Sequence, residues 1–344
     1  TTTSTPAPPT CAVIEEDTQY SGNDLRQIHD VENADWCCYH CTQDVECVGW
    51  TWGSSPGDES AGICFLKGSK PRPALTRLRD TSFVSGLPAE GIFVVTDPDP
   101  ATSLFCFSVV VPGSYEPSML KMQYEEGTSL FLCDDYMLLS DRTLDIAPGV
   151  QTHVIGSHPQ CPGLRCPSGG EFKTTLNTPV FFAVWDRVIA SGRTASYAWT
   201  VKADPDAVFF PQRLRGLFAN HPETAEGTYL NNCQRGMHGP LEVFSRIAVQ
   251  QWSQGRARCI AHFNQVCSGD CKWGEDMYID QCLWKVLGVT RKFERNLLVE
   301  DHCDPPSDWQ SCENGVVAAL HPFKTLESWR QCMDNADAAA GASS

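Results

Sequence analysis

The residues with the clearest capacity for chemistry lie in the segment YAWTVKADPDAVFF, where an apolar run leads straight into Asp204-Pro205-Asp206. Two carboxylates one residue apart at the end of a strand present oxygens to a single hard divalent cation. Such a cation can hold a diphosphate and neutralise charge on a leaving phosphate. The pair alone is weak evidence, because many such pairs are solvated turns. The segment GIFVVTDPDP offers the same pattern in Asp97 and Asp99. A second acidic segment, WGEDMYIDQCLWKVLG, reads as a helix over residues 275–287 capped by Gly288, with Ile279, Leu283 and Val286 on its buried face. Glu275 and Asp276 open that helix. Acids there are commonly no more than partners of the helix dipole. These two stand four and three residues before Ile279, which turns them toward the buried side. A third segment, NNCQRGMHGPLEVFSRIAV, joins a turn containing Gly236 and Gly239 to a strand and a capped helix. Glycines in such a turn let a sugar approach the backbone closely.

The elements that would position these groups follow from hydrophobic pattern. Residues 104–111 form a continuous apolar run, as in a strand buried on both faces. Residues 116–126 read as a helix, and residues 129–133 as a second buried strand. Thr178-Pro179 opens a helix that Gly192 closes, with Phe181, Val184, Trp185 and Val188 on one face. Residues 197–201 read as a third strand. This alternation predicts an α/β domain with a mostly parallel sheet, in which ligands sit beyond the carboxyl ends of the strands. Asp134 and Asp135 follow the presumed second strand, where an acid commonly binds ribose hydroxyls; a plain strand-end turn is the equal alternative.

A chain of 344 residues is long enough for two domains, and 42% hydrophobic residues exclude a disordered chain. The 18 cysteines fall into six before residue 65 and twelve after residue 105. Two even sets at this density fit an oxidising compartment and disulfides that do not mix between sets, and the isolated C-x2-C and C-x3-C pairs do not make a zinc ribbon. A net charge of −16 argues against nucleic acid and anionic membranes, and requires a cation beside any phosphorylated substrate. No apolar run reaches the roughly 20 residues of a membrane span. The chain starts with Thr1 rather than Met, which reads as a targeting or anchor segment removed or left out. Residues 1–10, TTTSTPAPPT, read as a stalk, residues 87–102 as a linker, and residues 336–344 as a frayed tail.

Two resemblances sharpen this reading. YSGNDL, ADWCCYHCTQDVECVGWTW, CFLK and SGLP, within residues 11–86, resemble a PAN/apple module. That resemblance implies a small disulfide-rich α+β domain in which a cysteine-bearing helix is stapled to the CFLK strand. It implies a protein or carbohydrate ligand, with a passive spacer as the alternative. Further on, Lys202-Ala-Asp204-Pro-Asp206, residues 236–245, Glu275-Asp276-Met277 with Cys282-Leu283, and His321-Pro322-Phe323 follow one another in the order found in β1,3-glycosyltransferases of the fringe and β1,3-galactosyltransferase type. The similarity is good over residues 175–330. It implies a GT-A domain over residues 103–335, a mixed, Rossmann-like sheet flanked by helices.

The same resemblance implies an inverting transferase that moves a hexose or N-acetylhexosamine from a UDP-sugar to a glycan or glycoprotein hydroxyl, in the Golgi or another secretory lumen or outside the cell. The metal, Mn²⁺ or another divalent cation, would lie on Asp204, Asp206 and His321. The donor would lie near Lys202, Asp204, Gly236 and Gly239, with Asp134 and Asp135 at its ribose. Asp276 would be the base, with Glu275 second. His302, in EDHCD, competes with His321 for the metal; the other histidines read as surface or hydrogen-bonded residues. Two departures stand out: Pro205 replaces the middle acid of the metal motif, and Gly-Met-His-Gly-Pro replaces a glycine run. The first spares both outer carboxylates; the second alters the sugar pocket. The rival readings are an inactive transferase fold kept as a structural or carbohydrate-binding glycoprotein, and a hydrolase with paired carboxylates.

Overall fold

A computed structural model describes residues 11, 13–68, 74–88, 94–96, 100–156, 158–170, 173–267 and 269–342. The stalk and the Asp97/Asp99 pair lie outside the described residues. The chain divides near Pro100 into two units.

In the first unit, strands β1 (Val13–Ser21), β2 (Asp24–Ile28), β3 (Gly49–Gly53), β4 (Cys64–Lys67) and β5 (Ala74–Leu87) form an antiparallel sheet ordered β1-β5-β3-β4-β2. Strand β6 (Val94–Thr96) pairs with β5, so part of the stretch expected to be linker belongs to this sheet. Helix α1 (Ala34–Thr42) starts at Asn33, whose side chain accepts from Trp36 N. It carries Cys37, Cys38 and Cys41 into the core beside Trp50 and Leu66. Disulfides 11–38, 37–64 and 41–47 tie the helix to the chain start, to β4 and to the following loop. Each is worth about 2–4 kcal/mol, a large share of the stability of a core this small.

The second unit is built on a seven-stranded sheet. In chain order its strands are β7 (Leu104–Val109), β8 (Asp135–Ser140), β9 (His153–Val154), β10 (Trp199–Ala203), β12 (Thr228–Asn231), β13 (Leu241–Ser245) and β14 (Thr290–Phe293). Between β10 and β12 the short strand β11 (Val208–Phe209) leaves this sheet for another. The order across the large sheet is β9-β8-β7-β10-β13-β12-β14. The first four strands are parallel, β13 runs against both neighbours, and β14 lies parallel to β12. Consequently β10 and β12 end at the same edge where β13 begins.

One face of this sheet is aromatic. Phe107 and Phe244 meet Trp185 of α3 (Thr178–Ala190), and Trp185 meets Trp252 of α5 (Arg246–Val266). Ser245 caps α5 through its side chain. α6 (Glu275–Gln281) continues as a π-turn to Leu287 and stops at Gly288, whose φ of 75° places it in the left-handed region.

A smaller sheet stands beside this one: β11, β16 (Ala319–His321) and β15 (Val299–Glu300), in the order β11-β16-β15. Its core joins Met119 and Met122 of α2 (Glu116–Glu126) to Leu320, Phe323, Trp329 and Ala336.

Two expectations need correction. Residues 129–133 are not a strand: Ser129–Leu132 is a 3-10 turn, with Ser129 at φ 53°, and the strand begins at Asp135. The expected tail is helical within the described residues. α7 (Leu326–Ala342) runs through it, buries Ala336 and is held by the 312–332 disulfide. All 18 cysteines are paired, and no bridge joins the first six to the last twelve.

Candidate functional site

Strand order reverses between β7 and β10, and in open α/β sheets ligands bind beyond the carboxyl ends at such a point. β10 ends there at Ala203, so Asp204 and Asp206 emerge at this edge. The chain then enters β11, whose Val208 pairs with Leu320. That register brings His321 back to Asp206, with Nε2 at 3.5 Å from Oδ1. Phe323 N donates to the Asp206 carbonyl at 3.0 Å, and Trp329 Nε1 to the Ala207 carbonyl at 3.1 Å. Backbone pairing and a buried tryptophan therefore bring together two groups 115 positions apart.

Asp204, Asp206 and His321 each offer one ligand atom, and these atoms all lie within 4.8 Å of one another. Tyr115, on the loop after β7, donates its hydroxyl to Asp206 Oδ2 at 2.8 Å and leaves Oδ1 toward His321. Burial raises the Asp206 carboxyl, but His321 and Tyr115 outweigh it and hold the group below its ordinary range. Burial lowers His321, yet Asp206 and Glu300 prevail and raise it to about 9. Burial pushes Glu116, beside this loop, up to about 7, and Asp204 and Asp206 add to the rise. Two carboxylates and an imidazole suit a transition-type divalent cation better than Ca²⁺. Among the described residues His321 Nδ1 is buried without a hydrogen-bond partner, and Glu300 Oε2 lies 3.9 Å from it. The residues present fit such an ion.

A second cluster adjoins the first. Lys202 and Glu242 are direct cross-strand partners on the aromatic face. Lys202 Nζ lies 2.8 Å from Asp204, 3.1 Å from Glu275 and 3.7 Å from Glu242, and donates to the Gly239 carbonyl at 2.6 Å. Burial would lower this amine, but the three acids raise it well above its usual value. Glu242 is raised by burial and then by Glu275, and burial likewise raises Glu275. Lys202 is thus committed to neutralising buried acids.

Asp276 is more open than Glu275. Its Oδ2 accepts from Gly239 N at 3.0 Å, and burial raises its carboxyl against the pull of the Met277 N–H and Lys202. A Cβ at Gly239 would stand 3.3–3.5 Å from the side-chain ends of Lys202, Glu275 and Asp276, so the loop passes directly over this cluster. At Gly236 a Cβ would meet Met277 at 2.6 Å. Both glycines lie where the loop approaches the side chains of α6 closely.

Asp134 and Asp135 do not join the site. They lie at the amino end of β8, the opposite edge from Asp204. Asp134 accepts from Leu104 N at 2.6 Å and pairs with Arg215; Asp135 pairs with Arg193. Their expected place at a strand's carboxyl end depended on the strand that the 3-10 turn replaces. His302 is 77% exposed and falls in a second set of possible ligand atoms with Glu300 and Asp301, separate from the set of Asp204, Asp206 and His321. The sequence reading missed Glu242, Tyr115 and Glu300. Only Glu242 carried a signal, as an acid alternating with Leu241 and Val243 inside an apolar strand.

Residues 18–67 match the PAN domain family. Among solved structures, the chain is similar to one described as "Crystal structure of a glycosyltransferase involved in the glycosylation of the major capsid of PBCV-1", at 12% identity and a TM-score of 0.33, covering 67% of this chain and 97% of that one. No curated protein matches the chain. Nine disulfides and a PAN domain fit an extracellular or secretory-lumen protein, and no described helix is long and apolar enough to cross a membrane.

Proposed function

We propose that the second unit is a metal-dependent, inverting glycosyltransferase that uses a UDP-sugar and a glycan or glycoprotein hydroxyl. One observation carries this reading: Asp204, Asp206 and His321 gather at the carboxyl edge where strand order reverses, with Asp276 nearby across the Gly239 loop. The motif order shared with fringe-type β1,3-glycosyltransferases supports it. Asp204, Asp206 and His321 would hold Mn²⁺ or a related cation. A cation held there would supply positive charge to offset that of a departing diphosphate.

Asp276 is the base that takes the acceptor hydroxyl proton. Burial keeps its carboxyl above its ordinary value, so it accepts a proton more readily than a solvated aspartate. The Gly239 N–H fixes its rotamer. Glu275, locked by Lys202, balances charge beneath the site. The PAN-like unit docks the acceptor. A screen of UDP-sugars for hydrolysis, with and without Mn²⁺, tests the reading. Metal-dependent turnover of one donor supports it; no turnover with any donor, in a folded protein, favours a scaffold.

A further inference from the structure

Glu300 takes no part in the roles above, yet it is the acid on which the site's histidines converge. It is 2% exposed and lies on β15, in register with His321 of β16. One carboxylate oxygen, Oε1, accepts from His238 Nδ1. The other, Oε2, lies 3.9 Å from His321 Nδ1 and 3.4 Å from Nδ1 of the exposed His302. The former is the nitrogen of His321 other than the one facing Asp206, and among the described residues it has no hydrogen-bond partner. At 3.9 Å the contact is electrostatic, and a movement of about 1 Å makes it a hydrogen bond.

We propose that Glu300 is the positioning residue of the candidate metal site, holding His321 with its proton on Nδ1 and its Nε2 lone pair toward the cation. The proposal rests on the metal site proposed above. A carboxylate on the outer nitrogen of a ligating imidazole fixes both the tautomer and the ring plane, and strengthens the inner nitrogen as a donor. The strand pairing supplies the rigidity that this role needs, because Glu300 and His321 are neighbours through their backbones.

The same carboxylate reaches the loop between β12 and β13. His238 N donates to Asn232 Oδ1, and the His238 carbonyl accepts from Asn232 Nδ2, each at 2.8 Å. The next residue, Gly239, donates to Asp276. The 233–303 disulfide ties this loop to the segment that follows Glu300. Glu300 therefore links the proposed metal ligand to the loop that orients the proposed base.

The test is calorimetric titration of Mn²⁺ into the full chain, alone and with UDP, for the wild type, Glu300→Gln and His302→Gln. A parallel measurement takes the urea unfolding midpoint in chelator. Glu300→Gln should weaken Mn²⁺ binding by about 10–100-fold and narrow the preference for Mn²⁺ over Mg²⁺, and its midpoint in chelator should also fall, because His238 loses a buried anionic partner. His302→Gln, which alters an exposed neighbour of the same carboxylate, should leave Mn²⁺ affinity unchanged. Wild-type Mn²⁺ affinity in Glu300→Gln overturns the proposal while leaving the metal site intact. A lower midpoint with unchanged affinity also overturns it, since the role is then structural. A wild type that binds no Mn²⁺ overturns the proposal together with the site. If Glu300→Gln does not fold, Glu300→Asp, which withdraws the charge by one methylene, should show a smaller loss of Mn²⁺ affinity; wild-type affinity there overturns the proposal.

Discussion

Replacing Lys202 by methionine removes the cation that Asp204, Glu242 and Glu275 share within 4 Å. Methionine fills most of the volume, so the loss is chiefly electrostatic. Asp204 is 31% exposed and can turn to water, but Glu242 and Glu275 are 0% and 4% exposed and cannot. Removing one partner of a buried ion pair costs about 3–5 kcal/mol. Two carboxylates about 4 Å apart at an effective dielectric of 20 would repel by about 4 kcal/mol. The variant should therefore lose about 3–5 kcal/mol of stability at pH 8.

The loss must depend on pH. Burial holds both glutamates above the ordinary carboxylate range, with Glu275 near 7, and Lys202 restrains that rise. A carboxyl raised in the folded state contributes its stability in full below its unfolded value, and loses it as pH climbs through the folded value. Without Lys202 both rises grow, so the deficit should be small at pH 5 and larger at pH 8. Urea unfolding at the two pH values, with an unchanged denaturant slope, measures this. The double variant Lys202→Met/Glu242→Gln should recover part of the loss at pH 8. An equal deficit at pH 5 and pH 8, or one under about 1 kcal/mol at pH 8, would refute the account of the cluster.

Other predictions concern the site more directly. Asp204→Ala and Asp206→Ala should each abolish metal-dependent UDP binding, while Asp97→Ala should bind like wild type; the reverse pattern means that the other acid pair carries the metal. Asp276→Asn should lower kcat for transfer by about 100-fold or more while leaving UDP affinity near wild type, since base catalysis contributes about 10²–10⁴-fold. A KM effect alone would remove Asp276 from the chemistry. A protein lacking residues 1–88 should keep hydrolysis of free donor and lose efficiency toward large acceptors; a folded truncation without hydrolysis would contradict the division of labour.

Much of the site was legible because its acids sit where strands end. An apolar strand running into Asp204-Pro-Asp206 is a local pattern, and the helix at Glu275 announces itself through Ile279 and the Gly288 stop. The stretch SLFLC misled because an apolar run of four residues is compatible with either a strand or a buried turn. Its true shape follows from Ser129 at positive φ, which sequence does not reveal. The tail misled in the opposite sense: five of residues 336–344 are alanines, the best helix formers, and they continue a helix whose Trp329, Cys332 and Ala336 are buried. Tyr115 and Glu300 were invisible for another reason. Their partners, Asp206 and His321, lie 91 and 21 positions away, and only the sheet registers bring them together.

The most direct test of the central claim is a calorimetric titration of UDP into the wild-type protein and His321→Ala, each with Mn²⁺ and with chelator. The account predicts UDP binding by the wild type only when Mn²⁺ is present, and its loss in His321→Ala, with Mn²⁺ preference shifted toward Mg²⁺ in whatever binding remains. UDP binding that is indifferent to Mn²⁺, or undiminished in His321→Ala while His302→Ala fails, would contradict it.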